Sequence, residues 1–71
     1  MINTQRAEHA LKALDYYHEQ KDGDKLAQED IEGVIVDLLA DFMHLADQAD
    51  YDFDSLLLIA AQHFHDETIG L

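Results

Sequence analysis

The sequence predicts an all-α fold, a small three-helix antiparallel bundle built around a central helix at about residues 28–49. Two observations predict it. Apolar residues recur at the three- and four-residue spacing of a helix in three stretches of the chain. Between these stretches lie two short segments rich in Asp, a residue that favours turns. With 71 residues and no Cys, the chain is expected to form one domain, residues 1–71, without disulfides or a thiolate metal site.

The first helix is predicted at about residues 4–20. Its apolar stripe consists of Ala7, Ala10, Leu11, Leu14 and Tyr17. The Ala residues of this stripe let another helix approach closely. His18 lies at the end of the stripe, and we interpret it as a single residue rather than a metal ligand. The helix should end in the loop at residues 21–25, where Gly23 can adopt the positive φ that ends many helices.

The second helix, at about residues 28–49, is the most apolar part of the chain. Its apolar arc covers roughly 200° of the helical wheel, whereas a surface helix needs about 100°. The core side is formed by Ile31, Val34, Ile35, Leu38, Phe42, Leu45 and Ala49. Because two short helices offer little surface to cover such an arc, we expect a homodimer. The apolar residues assigned to the dimer surface are Val36, Leu39, Met43, Leu58 and Ile59.

The third helix is predicted at about residues 53–67, with Asp52 as its N-cap. Its core face consists of Phe53, Leu56, Leu57, Ala60 and Phe64. Leu58 and Ile59 lie off that face. They are either scattered surface residues, which are common, or part of the dimer contact.

Charge is the second strong signal in the sequence. The chain has 16 acidic and four basic residues, for a formal net charge of −12. All four bases lie in residues 1–25 with five of the acids, so residues 26–71 carry the other eleven acids and no Lys or Arg. Such a field repels nucleic acid, so we predict no direct nucleic-acid binding and a protein partner with a basic surface. No apolar run approaches the ~20 residues of a membrane span, so we expect a cytoplasmic protein without membrane contact.

A row of polar residues on and after the central helix is the candidate binding surface. This acidic surface consists of Asp37, Asp41, His44, Asp47, Asp50, Asp52 and Asp54. The spacing of Asp37, Asp41 and His44 places two carboxylates and an imidazole on one side of the helix. Such groups can bind a divalent metal or transfer protons, so a metal site made of these three residues and His63 is an alternative to a solvated helix face. No Ser, Cys or Lys has an activating neighbour, so we expect no catalytic residue and no cofactor.

In residues 34–67 the chain carries the pattern D-L-L-A-D-x-x-H-x-x-D, followed by D-F-x-x-L and A-x-x-H-F. The matching residues are Asp37, Leu38, Leu39, Ala40, Asp41, His44, Asp47, Asp52, Phe53, Leu56, Ala60, His63 and Phe64. This pattern resembles very small acidic proteins encoded on bacterial plasmids, prophages and integrative elements. The resemblance implies an accessory or mobile-element setting more than a mechanism, and it makes His44 and His63 the histidines to test first.

The central helix is also similar to the metal-binding helix of all-alpha NTP pyrophosphohydrolases, which hold magnesium with E-x-x-E on one helix and E-x-x-D on another. Asp37 matches the final Asp of that pattern, but Val34 stands at the Glu position. The first helix has only Glu8 and Glu19 and no E-x-x-E. One matching carboxylate of four does not hold a hard cation, so we interpret this similarity as a shared amphipathic pattern.

We therefore predict a non-catalytic accessory protein of bacterial or mobile-element origin that binds another protein through its acidic surface. In its concrete form it is an inhibitor that presents carboxylates where a basic nucleic-acid-binding site expects phosphates. The alternative is a metal-binding module or a metal-dependent hydrolase related to the all-alpha NTP pyrophosphohydrolases.

Overall fold

The computed structural model describes residues 3–68, with side chains from residue 4 onward. Three α-helices run along this part of the chain: α1 (Asn3–Asp22), α2 (Ile31–Gln48) and α3 (Phe53–Thr68). Within the described range there is no strand. The predicted all-α fold with three helices is therefore confirmed. The largest difference is at the start of the central helix, where the predicted first turn, Gln28–Asp30, is a 3-10 turn that precedes α2. The other helix ends lie within two residues of the predicted ones.

The chain divides into two compact units, Met1–Ala40 and Asp41–Leu71, with the division inside α2. In the first unit, α1 ends as its sequence predicts. Gly23 has a φ of +82°, and its N–H donates to the carbonyl oxygen of Glu19 over 2.8 Å. This bond satisfies a carbonyl that the end of the helix would otherwise leave open. Nothing lies within 4 Å of a Cβ built at Gly23, so the positive φ alone is the reason for glycine there.

The apolar contact in the first unit joins the stripe of α1 to the first half of α2. Leu14 and Val34 are buried there, each with 6% of its surface exposed. An apolar groove of about 400 Å³ lies beside them. Its lining residues are Ala7, Ala10, Leu11, Leu14, Ile31, Ile35, Leu38 and Leu39. Except for Leu39, which was assigned to the dimer surface, these lining residues belong to the two facing stripes that the sequence predicts, and they leave the groove partly open.

In the second unit, α2 ends without a glycine. Asp50 takes the left-handed conformation, with a φ of +65°. The N–H of Tyr51 donates to the carbonyl of Ala46 over 2.8 Å, and the N–H of Asp50 donates to the carbonyl of Asp47 over 3.3 Å. These two bonds form a Schellman motif, in which an Asp stands where Gly is the usual residue.

The start of α3 follows directly. Asp52 precedes the helix, and its carbonyl accepts the first helical hydrogen bond, from the N–H of Leu56 over 3.2 Å. Its carboxylate also accepts a hydrogen bond from the Ser55 hydroxyl over 2.7 Å. Asp52 therefore occupies the N-cap position that the sequence predicts.

The described residues bury very little apolar surface. Only Leu14, Val34 and Ala46 among their apolar side chains are buried. The core face that the sequence predicts for α3 is not a core, because α3 has no buried residue. Phe53 at its start is half-buried, whereas Phe64 near its end is 67% exposed. Across residues 3–68, none of the helices is both long and apolar enough to cross a bilayer.

Candidate binding surfaces

All seven members of the acidic surface are exposed. They are Asp37, Asp41, His44, Asp47, Asp50, Asp52 and Asp54. Asp37 lies in the first compact unit and the other six lie in the second. The row is not uniform, because Nζ of Lys21 lies 3.9 Å from a carboxylate oxygen of Asp37. A pair this exposed contributes little to stability, but it partly neutralises the acidic surface at Asp37.

Three acidic residues at and beside the α2–α3 connection line a cleft in the second unit. This acidic cleft has a volume of about 250 Å³. Its lining residues are Met43, Asp47, Tyr51, Asp52, Phe53 and Asp54. Three carboxylates therefore share one cleft with two aromatic rings and a thioether. Sequence reasoning assigned Met43 to the dimer surface and gave Tyr51 no role, because the spacing of a helix does not reveal which side chains a turn gathers.

The helix dipoles favour some carboxylates of this connection and disfavour others. Asp52 and Asp54 stand at the N-terminal end of α3, where the positive end of the helix dipole stabilises a carboxylate. Asp47 and Asp50 stand at the C-terminal end of α2, where the dipole is unfavourable and the last turn has no basic residue. Asp50 also holds a positive φ. Acidic residues at the C-terminal end of a helix and a non-glycine residue at a positive φ are locally unfavourable, and such local conflicts are typical of functional surfaces.

The alternative metal site has no geometric support in the described residues. Within residues 3–68, no three His, Asp or Glu side chains form a group that could hold a metal ion. The set proposed from the sequence was Asp37, Asp41, His44 and His63. A divalent cation needs several ligands converging on one point, and helical spacing alone does not provide them.

A polar cluster that the sequence analysis missed lies at the end of α1. His18 is the buried polar residue of the described chain, with 9% of its surface exposed. Its Nδ1 lies 3.1 Å from Oδ2 of Asp22, and its Nε2 lies 2.9 Å from Oδ1 of Asp24. The four-residue spacing of His18 and Asp22 signals the first contact. The second depends on the path of the chain through Gly23, so His18 is not the single residue that we inferred.

The apolar residues assigned to the dimer surface are all exposed. The exposed fractions are 60% for Val36, 40% for Leu39, 52% for Met43, 63% for Leu58 and 50% for Ile59. The second unit also has an apolar groove of about 350 Å³. Its lining residues are Phe42, Leu45, Ala46, Ala49, Tyr51, Phe53 and Leu56. Most of these residues were expected in a closed core, so the open apolar surface is larger than the sequence predicts.

Comparison with protein-family models, with curated proteins and with solved structures finds no match to this chain. The resemblance of residues 34–67 to small acidic proteins of mobile elements therefore stays a prediction. What the protein does is inferred from its own surfaces.

Proposed function

We propose that this protein is a non-catalytic binding protein that captures a basic site on another protein. It acts as an inhibitor, presenting carboxylates where a nucleic-acid-binding site expects phosphates. The observation that supports this most directly is the acidic cleft, in which Asp47, Asp52 and Asp54 lie beside Tyr51 and Phe53. We place the protein in the cytoplasm of a bacterium, as an accessory protein encoded by a mobile element.

The composition of the acidic cleft fits an Arg or Lys side chain. A guanidinium group forms paired hydrogen bonds with carboxylates, and these are stronger than hydrogen bonds between neutral groups. A cation is also attracted to the face of an aromatic ring within about 6 Å. The methylene stem of the same side chain can lie along Met43, because long basic side chains bury their stems against apolar surface. A partner rich in Arg therefore satisfies both the charged and the apolar lining.

The charge of the whole chain supports the same kind of partner. Residues 26–71 contain eleven acids and no Lys or Arg, so this part of the surface presents one sign of charge. Complementary fields raise the rate of encounter more than they slow dissociation. A basic nucleic-acid-binding site would therefore associate quickly with this protein, and the same charge keeps nucleic acid away.

The test begins with affinity capture from a bacterial extract and continues with association kinetics of the captured partner. The cleft variant carries Asp47→Asn, Asp52→Asn and Asp54→Asn together. Asn is as good an N-cap as Asp, so the start of α3 is retained. The control variant carries the same change in charge at exposed positions outside the cleft, as Glu29→Gln, Glu32→Gln and Asp66→Asn.

We expect the cleft variant to associate at least about tenfold more slowly than the parent at low salt, and the control to lose much less. The difference should shrink as salt screens exposed charges. Equal losses in the two variants would mean that only the overall charge matters and that the cleft is not the binding site. Unchanged association in both variants would reject an acidic binding surface altogether.

A further inference from the structure

The apolar groove of the first unit lies between α1 and the first half of α2, and we call it the α1–α2 groove. No charged residue lines it. Leu14 in its floor is 6% exposed, whereas Leu11, Ile35 and Leu39 on its rim are 46%, 44% and 40% exposed. A small ligand is usually enclosed on most sides by its site. A groove this open therefore fits a larger partner that brings its own apolar surface.

The length of the α1–α2 groove matches a short stretch of helix. Its lining on α1 begins at Ala7 and ends at Leu14, which is about 10 Å along a helix axis, or about two turns. Ala7 and Ala10 have small side chains, so a partner backbone can approach α1 closely. Amphipathic helices bind such grooves through apolar residues at i, i+3, i+4 and i+7, and these positions also span two turns. The groove therefore has the shape to take a third helix.

A second cavity, of about 300 Å³, adjoins the α1–α2 groove and shares Leu11 and Ile31 with it. We call this cavity the basic end of the groove. Its charged lining residues are Lys12, Asp15 and Lys25. The carboxylate of Asp15 accepts the N–H of Leu26 over 3.2 Å. This hydrogen bond holds the loop that carries Lys25 against α1, so the groove has an uncharged part and a charged part.

The charges at the basic end indicate which helix fits. Among the described residues, neither Lys12 nor Lys25 is in an ion pair. Glu8 and Glu29, each four residues from one of these lysines, line neither cavity. Two ammonium groups and the carboxylate of Asp15 give this end a local net charge of +1, in a chain whose net charge is −12. Carboxylates on the partner are therefore favoured at this end.

We propose that the α1–α2 groove binds an amphipathic helix of a partner protein. That helix has an apolar stripe of about two turns, with Asp or Glu residues one turn beyond it. The stripe packs between α1 and α2, and the carboxylates pair with Lys12 and Lys25. The site is independent of the proposed function, because the groove and its basic end share no residue with the acidic cleft. The protein can therefore join two partners of opposite charge.

The first experiment measures the binding of two designed peptides to the parent by fluorescence anisotropy. Each is an Ala-rich peptide of about 16 residues, long enough to form a helix, with Leu at i, i+3, i+4 and i+7. The Glu peptide carries two Glu one turn beyond the Leu stripe, and the Gln peptide carries two Gln there. Salt of about 0.15 M screens charges more than about 8 Å away. We expect the Glu peptide to bind about fivefold more tightly, because two exposed ion pairs each contribute modestly.

Charge variants of the protein test whether the lysines cause this preference. Lys12→Gln with Lys25→Gln should abolish the preference for the Glu peptide and leave the affinity for the Gln peptide nearly unchanged. The matched control is Arg6→Gln with Lys21→Gln, which removes the other two positive charges of the chain. Neither of these residues lines the groove or its basic end, so the control should keep the preference.

A further variant fills the apolar part of the groove. Ala10 is exposed, so Ala10→Phe should keep the fold while its ring takes the space of the partner helix. We expect it to weaken the binding of both peptides by more than about tenfold, since overpacking a contact is costly. Full binding in Ala10→Phe would overturn the proposal. So would no binding of either peptide at high micromolar concentration, equal affinity for the two peptides, or an equal loss of preference in the two charge variants.

Two controls test other occupants of the groove. Dodecanoate has an alkyl chain and one carboxylate, and its binding in the absence of peptide binding would make the groove a site for a small amphiphile. Sedimentation equilibrium tests a second copy of the chain. A dimer of the parent that Ala10→Phe converts to a monomer would assign the groove to self-association. Either result would overturn the proposal of a partner helix.

Discussion

The Nε2 atom of His18 lies 2.9 Å from a carboxylate oxygen of Asp24, across the turn that ends α1. The other ring nitrogen lies 3.1 Å from Asp22. The imidazole of His18 is therefore held between two carboxylates, one from the last turn of α1 and one from the loop that follows. A third contact ties the same loop to the helix, because Oδ1 of Asp15 accepts the N–H of Leu26 over 3.2 Å. The loop between α1 and α2 is therefore held by side chains of α1.

Replacing His18 should destabilise the protein. We expect His18→Ala to lower the free energy of unfolding by about 1–3 kcal/mol, because a buried hydrogen-bonding group is lost and two carboxylates lose their donor. The control is His9→Ala, since His9 is an exposed residue of the same helix. Urea unfolding followed by circular dichroism would measure both variants. Equal stability of the two would show that the contacts of His18 contribute nothing.

Replacing Asp50, the left-handed residue of the α2–α3 connection, should stabilise the protein. Asp50→Gly should raise the free energy of unfolding by about 0.5–1 kcal/mol, because Gly adopts a positive φ without steric cost. Asp50→Asn removes the same charge but keeps a side chain, so it separates the effect of charge from the effect of φ. Thermal unfolding of the three proteins tests this. If Asp50→Asn stabilises as much as Asp50→Gly, the gain comes from charge.

The small buried core makes the protein sensitive to a single deletion. Leu14→Ala should cost about 2–5 kcal/mol, as for other buried leucines. A chain of this size has only about 3–5 kcal/mol of net stability from its core, so the variant should be largely unfolded at room temperature. Leu58→Ala is the matched control, because Leu58 is 63% exposed and Leu14 is 6% exposed. A folded Leu14→Ala variant with parental helicity would contradict the proposed importance of this core.

The metal alternative makes a separate prediction. Under the proposed function, in which the carboxylates meet a basic partner, we expect calorimetric titration with Mg²⁺, Mn²⁺ and Zn²⁺ to show no stoichiometric binding. Weak, salt-sensitive heat from an acidic surface is compatible with this expectation. One equivalent of tightly bound metal that disappears in His44→Ala would instead favour the metal-binding function.

The sequence by itself determined where the helices lie. Apolar residues three and four apart, Gly23 after α1 and Asp52 before α3 are local signals, and each depends on residues within a few positions of one another. The same reasoning located the acidic residues of the connection. It placed the end of α2 at about residue 49, one residue beyond the observed Gln48. It did not reveal that Asp50 takes a positive φ, because an Asp at a positive φ carries no such signal in the sequence.

Only the tertiary structure decided which apolar helix faces are buried. Helical spacing shows that Leu56 and Phe64 share a side of α3, but it does not show whether any other surface buries them. The contact of His18 with Asp24 likewise depends on how the chain turns back after Gly23. The acidic cleft forms because one turn brings Asp47 near Phe53 and Asp54. Burial and side-chain clustering depend on contacts with segments that are distant in the sequence. A local pattern of apolar residues does not show how much surface those segments cover.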